Sequence, residues 1–436
     1  MMGSRRHFLR LCAGTGLGFA APVGLSQVLG NSVQEQAAES GYVGPYYVVF
    51  NASGGWDTTY LMDPKGRNGI NRLYQDSDIL TAGNHRFAPT EKQITAGMSN
   101  EDFFQKYGSE LLTLNGLDLS VNNHTPCARY MATGKLDSLA YPTFPALAAA
   151  CLGSDAPLAF LTFGNYAATG NLVPMSRVPY LQSLNLLARA DYVEGSATHQ
   201  YSDSFVNDRI ERTLESQFEA RVSQARLPRV ERSQSMLYSA QTSSKALQRV
   251  TPFIPKEPAR ERLWQQADIA LASFCAGVCV SANLSISQFD SHNNNDADQM
   301  KLIPEFLAGI DYLLRRAEDL KIREKLVVII QSEMGRTPTY NNGNGKDHWS
   351  IGSIMFLGAG IEGNRVLGAT DDEQMLVPLN PVTCELAPQD GIRIRPEHIH
   401  LAVRDHAGIS GHAFCRQFPL SVPPDEHLKT FLQTKM

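Results

Sequence analysis

The sequence predicts an α/β sandwich with one mostly parallel sheet and helices on both of its faces. Residues 326–330 form a continuous apolar run rich in β-branched side chains. Such a run is typical of a strand buried on both faces, as in a parallel sheet. Similar runs alternate with helical patterns along the chain, which favours parallel strands joined by helices. The chain has 436 residues, 43% of them hydrophobic, which is enough for a large core.

The core elements follow one another in this alternating order. Strands are predicted at residues 46–50, 110–118, 158–163, 278–287, 326–330 and 351–357. Helices are predicted at residues 142–150, 260–275 and 297–317, the last with apolar residues at amphipathic spacing. Residues 61–105 are polar and irregular, and residues 202–250 have the composition of two helices. We therefore expect a single domain over residues 41–436, with insertions at about 61–105 and 200–255.

Residues 1–40 form a predicted twin-arginine export signal and linker. Residues 4–10, SRRHFLR, precede a weakly apolar stretch rich in glycine and alanine. An ordinary basic N-terminus is the alternative. Glycines and Pro22 in the stretch argue against a permanent membrane anchor. The signal predicts export of the folded protein by the twin-arginine translocase to the periplasm, with no stable membrane span in the mature form.

Charge and cysteine content narrow the range of partners and compartments. The net charge of −5 gives no basic excess, so we expect neither a nucleic acid nor an anionic membrane surface as partner. Apart from Cys12 in the signal, the cysteines are Cys127, Cys151, Cys275, Cys279, Cys384 and Cys415. An even number in an oxidising compartment permits disulfides, and we expect one among these six.

Groups able to bind a metal follow four of the predicted strands. They are Asp57, His124, Asp290 with His292, and Glu333, and a Gly/Asn-rich loop behind Glu333 delivers His348. Because the exits of parallel strands lie on one edge of the sheet, we expect these side chains to converge there. Oxygen and imidazole ligands suit a divalent ion, which we expect to be zinc, manganese or calcium. Two ions about 4 Å apart would stabilise the attacking and leaving oxygens of an in-line displacement at phosphorus or sulfur. The sequence is compatible with one ion and with two.

Each of these positions also has a structural interpretation. Asp57 is placed to cap a following helix, and Asp290 with His292 lies in an Asn-rich turn. His398 and His400 also resemble a ligand pair, but they follow a Pro-Glu dipeptide at a predicted helix start and are less favoured.

The segment around residues 123–134 predicts an anion site. His124 and Thr125 precede Pro126 at the start of a predicted helix that Gly134 closes. Backbone amides at a helix start favour an anion, so His124 and Thr125 are candidate catalytic residues toward a phosphoryl or sulfuryl group. Arg336 is a third candidate, because a guanidinium can clamp the oxygens of an anion. Helix capping by Thr125 and a surface salt bridge of Arg336 are the alternatives.

The chain resembles the sulfatase-like family known as domain of unknown function 1501, within the alkaline phosphatase superfamily. The resemblance rests on Gly-Gly-Trp-Asp at 54–57, the Asn-His and Thr-Gly pairs within 123–134, and SEMGRTP…GKDHW at 332–349. It implies an alkaline-phosphatase-like three-layer sandwich. It also implies a nucleophile at a helix start, flanked by metal-binding carboxylates and histidines.

The chain departs from that pattern at three positions. His124 stands where the nucleophile of sulfatases is found, and Ala128 stands where their arginine is found. Met334 follows Glu333 where phosphatases have an Asp-His pair, and a thioether cannot replace imidazole toward a hard ion. The sequence therefore predicts an exported metal-dependent hydrolase-like protein acting on a phosphate or sulfate ester, with a small anionic ester or glycan as substrate. A non-catalytic periplasmic metal-binding, anion-binding or scaffold protein with the same fold is the alternative.

Overall fold

The computed structural model describes residues 41–432 except 68, 165, 190, 191, 194–198, 243 and 430. The predicted export signal and linker at residues 1–40 lie outside the described residues. The strands are β1 Tyr46–Ala52, β2 Leu80–Ala82, β3 His85–Phe87, β4 Leu112–Asp118, β5 Phe160–Thr162, β6 Met175–Ser176, β7 Ser281–Ile286, β8 Leu326–Gln331, β9 Gly335–Tyr340, β10 Lys346–Trp349, β11 Ile351–Gly358, β12 Arg365–Leu367, β13 Ala369–Thr370 and β14 Leu376–Val377. The α-helices are α1 Asn100–Tyr107, α2 His124–Thr133, α3 Phe144–Gly153, α4 Leu181–Ala188, α5 Ser204–Gln224, α6 Pro228–Thr242, α7 Ser244–Gln248, α8 Arg262–Cys275, α9 Asn295–Asp319, α10 Pro396–His406 and α11 Ala413–Gln417.

The central sheet has eight strands in the order β12-β4-β11-β8-β1-β7-β5-β6. Strand β1 lies between β7 and β8 and pairs with both in parallel. Strand β11 runs antiparallel to its two neighbours, and the other pairs in the sheet are parallel. The predicted mostly parallel sheet is therefore confirmed. The exits of β4, β8, β1 and β7 all lie at one edge, since these strands point the same way.

Helices cover both faces of this sheet. Along β1, Val48 and Phe50 point into a core shared with α8 and α9, whereas Tyr47 and Val49 point into a second core shared with α2, α3 and α10. Successive side chains of a strand alternate between the two faces, so a strand that is apolar at every position fits only a sheet covered on both sides. The predicted three-layer arrangement is confirmed.

Residues 61–105 are not the irregular surface excursion that their polar composition predicts. They contain the β2–β3 hairpin and α1. Leu61, Phe87, Phe103 and Phe104 are fully buried, and the rings of Phe87 and Phe104 stack at 4.6 Å. A few large apolar side chains suffice to hold this segment on the core, because each buries a large apolar area.

The predicted disulfide is wrong for the described residues. Cys127, Cys151, Cys275, Cys279, Cys384 and Cys415 are not joined by disulfides. Cys127 Sγ donates to the Val121 carbonyl at 3.2 Å and Cys279 Sγ donates to the Ser281 carbonyl at 3.3 Å. Both are fully buried, so they behave as small apolar side chains with a weak donor. Within the described part of the chain, no helix combines the length and the apolar content needed to cross a bilayer.

His398 and His400 do not form a ligand pair. His398 accepts from the Arg395 amide through Nδ1 and lies 3.0 Å from Glu426 through Nε2, so it closes the first turn of α10. His400 is buried on the same helix and donates through Nε2 to the Met131 carbonyl at 2.9 Å. Burial lowers the pKa of His400 to about 3.

We expect His400 to make stability depend on pH below neutrality. Above the unfolded-state pKa of about 6.5 both states are neutral, and below it only the unfolded state takes up the proton. The free energy of unfolding should therefore fall as pH falls from about 6.5 toward 3. Replacing His400 with leucine should remove about 2.5 kcal/mol of the decrease between pH 7 and 4.5. Urea denaturation at both pH values with a chelator present measures this, with His427→Leu as control. An equal decrease in wild type and His400→Leu would contradict the assignment.

Candidate metal centre

The carboxyl edge of the sheet collects the side chains that follow its parallel strands. Asp290 and His292 follow β7, Glu333 follows β8, and His124 opens α2 behind β4. Strand β10 returns antiparallel to β9 and carries His348 opposite Arg336. The tight turn behind β1 completes the edge. A Cβ on Gly54, where φ is +122°, would lie 2.4 Å from the Asp290 amide nitrogen, so only glycine allows the two backbones to approach.

The Asp290 carboxylate is the centre of this cluster. Its Oδ1 lies 3.1 Å from His292 Nε2 and 3.3 Å from His348 Nε2. Its Oδ2 lies 3.2 Å from His124 Nε2. The Nε2 atoms of His292 and His348 are only 3.0 Å apart. Three imidazole nitrogens from three separate segments therefore converge on one carboxylate.

A second polar partner fixes the orientation of each imidazole. The Nδ1 contacts are His124 with Glu333 Oε1 at 3.2 Å, His292 with Asp347 Oδ1 at 2.8 Å, and His348 with the Asn122 carbonyl at 2.9 Å. Carboxylate and carbonyl oxygens only accept, so each Nδ1 is the donor. In the neutral imidazoles the Nε2 atom then carries the lone pair that faces Asp290. Outer partners of this kind are typical of metal-binding histidines.

The geometry fits a divalent ion. Ligand atoms around a four- or six-coordinate ion with bonds of about 2.0–2.1 Å are about 3.0–3.4 Å apart, and the contacts of Asp290 with the three imidazoles fall in that range. Ligand atoms of His124, Asp290 and His348 all lie within 4.8 Å of one another. His124 Nε2 and Glu333 Oε2 are buried and make no hydrogen bond to the described residues. A cation would satisfy the imidazole nitrogen and offset the repulsion between converging lone pairs.

Electrostatics keep Asp290 ionised. Burial by itself raises the pKa of this carboxyl, but the hydrogen bond and charge of Arg336 and the nearby imidazoles outweigh it and lower the pKa to about 2. The hydrogen bond to Glu333 raises the pKa of His124, partly opposed by burial. Burial lowers the pKa of His348, which favours the neutral imidazole. The side chain of Asp290 is 43% exposed, so the centre is open to solvent.

Glu333 lies behind His124. Its residue is only 5% exposed, and its Oε1 accepts from the Gly54 amide at 2.7 Å as well as from His124. Glu333, which the sequence predicts as a direct ligand, thus orients the ligand His124 through Oε1. Its Oε2 has no hydrogen-bond partner among the described residues.

Arg336 does not clamp an external anion. The side chain is fully buried. Its donors reach the carbonyl oxygens of Gly54, Gly55 and Lys346 and, at 2.8 Å, Asp290 Oδ1. Both sequence-based roles, the anion clamp and the surface salt bridge, are therefore wrong. The guanidinium ties the turn behind β1 to β10 and holds the Asp290 carboxylate in place.

Replacing Arg336 with glutamine should weaken metal binding by about 10–100-fold, as is typical for loss of an outer partner of a ligand. The physical reason is that Asp290 loses the donor that orients it and holds its pKa low. Competition against a chromophoric chelator measures the affinity. Arg129→Gln is a matched control, because Arg129 also donates to a backbone carbonyl, that of Leu136. Equal affinity in wild type and Arg336→Gln would show that the carboxylate does not need the arginine.

Asp57 lies outside this cluster. Its carboxylate pairs with Lys346 Nζ at 2.7 Å, and both side chains are fully buried. It also accepts from the Thr59 amide, which is the capping role that the sequence left open. The structure therefore brings together five of the six predicted ligands, with Glu333 in the outer position, and separates Asp57 from them.

The remaining candidate and the residues that sequence analysis missed complete the description. Thr125 follows His124 in the first turn of α2 and is exposed to solvent. Sequence analysis assigned no role to Lys346, Asp347 or the Asn122 carbonyl. Lys346 and Asp347 belong to the GKDHW part of the motif on which the family resemblance rests, and this motif was the available signal. The contact of a backbone carbonyl leaves no signal in a single sequence.

These features define an α/β protein with a candidate divalent-metal centre of His124, Asp290 and His348 at the carboxyl edge of its sheet, with His292 against the same carboxylate. Residues 181–386 match the family described as "Protein of unknown function (DUF1501)". The match includes the SEMGRTP…GKDHW motif, whereas the resembling segments at 54–57 and 123–134 lie outside it. No curated protein matches the chain significantly.

Solved structures of similar fold include sulfatases and a polymer synthase. The lipoteichoic acid synthase LtaP from Listeria monocytogenes is 9% identical, with 90% of this chain and 77% of that chain covered at a TM-score of 0.36. The PsFucS1 sulfatase from Pseudoalteromonas sp. is 11% identical, with 92% and 74% covered at a TM-score of 0.41. A putative sulfatase from Bacteroides thetaiotaomicron is 10% identical, with 89% and 74% covered at a TM-score of 0.31.

Proposed function

We propose that the protein is an exported, metal-dependent hydrolase that acts on a phosphate or sulfate ester. The observation that carries the proposal is the convergence of three imidazole Nε2 atoms on Asp290, each imidazole oriented by a second partner. His124, Asp290, His292 and His348 would hold the ion, and three imidazoles favour zinc over calcium. A bound divalent ion would supply Lewis-acid polarisation of an ester oxygen. Export is supported by the twin-arginine pattern at residues 4–10.

The residues of the chain divide the remaining work between them. Glu333, Asp347 and the Asn122 carbonyl hold the imidazole rings, and Arg336 holds Asp290. Glu333 holds Nδ1 of His124 and its Nε2 faces Asp290 at 3.2 Å, so we assign it to the ligand set and not to the attacking group. Thr125 is exposed beside it and is the side chain best placed to contact a substrate or to act as nucleophile.

A small anionic ester or a sulfated or phosphorylated glycan fits an open centre of this kind. The side chains of Asp290 and His292 are 43% and 41% exposed, so a substrate can reach them from solvent. Arg336 gives no free positive charge to the substrate, since its donors are used within the protein. The bound ion would therefore be the main attraction for the anion.

The second candidate function is metal or anion binding without catalysis. Two observations favour it specifically: an imidazole stands where sulfatases have their nucleophile, and the one arginine at the centre is committed to the protein itself. Binding of an anionic ligand would then need the ion but would involve no turnover.

Hydrolysis of p-nitrophenyl phosphate and p-nitrophenyl sulfate, with and without chelator, tests the proposal. We expect turnover of one ester that is lost with chelator and restored by zinc. His124→Ala should lose both metal and turnover, because it removes a ligand, whereas Thr125→Ala should keep the metal and lose at least about 100-fold in turnover if Thr125 reacts. His427→Ala serves as control. Metal binding without turnover of either ester or of a sulfated glycan would favour the binding protein.

A further inference from the structure

The buried ion pair between Asp57 and Lys346 is the strongest feature that the proposed function does not use. Lys346 Nζ lies 2.7 Å from Asp57 Oδ2, and both side chains are 0% exposed. Asp57 follows β1, beside the strands whose exits carry the metal centre. It is thus an acidic residue in a place where sequence analysis expected a metal ligand.

The Asp57 carboxylate has no room for another cation. Its Oδ1 accepts from the amide of Thr59 at 3.1 Å and from Thr59 Oγ1 at 2.6 Å. Its Oδ2 accepts from Asn295 Nδ2 at 2.9 Å and from the ammonium of Lys346. Two donors on each oxygen use the acceptor capacity that a carboxylate offers.

Aromatic rings enclose the ammonium on its other side. Lys346 Nζ lies 5.4 Å from the ring centroid of Tyr60 and 5.2 Å from that of Tyr340, at cation–π distance. The hydroxyl groups of these two tyrosines are 2.6 Å apart, and each donates to Asp296 Oδ1. The lysine is therefore held between a carboxylate and two tyrosines, and the pair is electrically neutral.

We propose that the Lys346 ammonium takes the place of a second metal ion at Asp57, so that the protein binds a single divalent ion. This inference rests on the proposed metal centre at His124, Asp290, His292 and His348. A divalent ion beside Asp57 would add two positive charges next to a buried ammonium. Because no water screens these charges from one another, their repulsion makes binding of the ion costly. Lys346 acts here as a positioning residue, not as a group that touches the substrate.

The metal-to-protein ratio tests whether the protein binds one ion or two. The protein is loaded with excess zinc or manganese, free ion is removed, and elemental analysis gives the ratio. We expect one ion per chain in wild type, located by anomalous diffraction at the imidazole cluster. Two ions per chain, with one at Asp57, would overturn the inference and leave the proposed function intact. No bound ion would overturn the proposed function itself.

Variants of Asp57 and Lys346 test directly whether the lysine ammonium takes the place of a second metal ion. Lys346→Ala uncovers an oxygen-lined position at Asp57, and we expect this variant to bind a second ion, preferably manganese over zinc. The charge-neutral variant D57N/K346M should stay at one ion. A folded Lys346→Ala protein that still holds one ion would overturn the inference, as would loss of the single ion from D57N/K346M. The ion count and ion position in wild type keep the test decisive if Lys346→Ala does not fold.

Discussion

Replacing His348 with alanine should abolish stoichiometric zinc binding and weaken the affinity by well over about 100-fold. Loss of an outer partner costs about 10–100-fold, and loss of a ligand should cost more. His348 Nε2 lies 3.0 Å from His292 Nε2 and 3.3 Å from Asp290 Oδ1, with its Nδ1 fixed by the Asn122 carbonyl. Elemental analysis and competition against a chromophoric chelator give the ratio and the affinity.

The matched control is His427→Ala, a half-buried histidine outside the cluster, which should keep one ion per chain. Circular dichroism should show that His348→Ala keeps its secondary structure, because the side chain is partly exposed on β10. Full metal content in His348→Ala would show that the imidazole cluster is not a metal centre.

Replacing Lys346 with methionine should lower the free energy of unfolding by about 3–5 kcal/mol. The substitution keeps most of the volume but leaves Asp57 as a buried carboxylate without its counter-charge. Removing one partner of a fully buried pair is costly because the other loses both water and its ion partner. Urea denaturation with a chelator present measures the effect without a contribution from bound metal.

Two controls separate charge from packing. Adding Asp57→Asn to Lys346→Met should recover most of the lost free energy, since a neutral amide replaces the unpaired carboxylate. Arg67→Met breaks an ion pair with Glu373 in which both side chains are well exposed, and should leave the free energy of unfolding nearly unchanged. A loss under about 1 kcal/mol in Lys346→Met would mean that the Asp57–Lys346 pair does not stabilise the folded protein.

Local sequence patterns were sufficient for the elements of the core. The apolar run at 326–330 became β8, the run at 46–50 became its neighbour β1, and the run at 278–287 became β7 on the far side of β1. Such runs determine their own environment, because a strand without a polar face must be buried on both sides. The insertion at 61–105 was misjudged for the converse reason. Its few aromatic side chains are spaced without a period, and only contacts with the core show that they are buried.

The site was predictable in its location but not in its pairings. The rule that strand exits share an edge brought Asp290, His292, His348, His124 and Glu333 together. It gave no reason to separate Asp57, whose partner Lys346 is 289 residues away in the chain. The same holds for Arg336, whose buried donors reach carbonyl oxygens on two other segments.

The sequence by itself determined the layered sheet, the edge on which polar side chains gather, and the residue types able to bind a metal. These features follow from the periodicity of apolar residues and from the order of the strands, both of which can be taken from short stretches of the sequence. Only the tertiary structure decided which nitrogen faces which oxygen. It made Asp290 the centre of the cluster, Glu333 an outer partner, and Asp57 the counter-ion of a lysine. Such assignments depend on distances of about 3 Å between segments that are far apart in sequence, and hydrogen-bond geometry at that scale is set by packing.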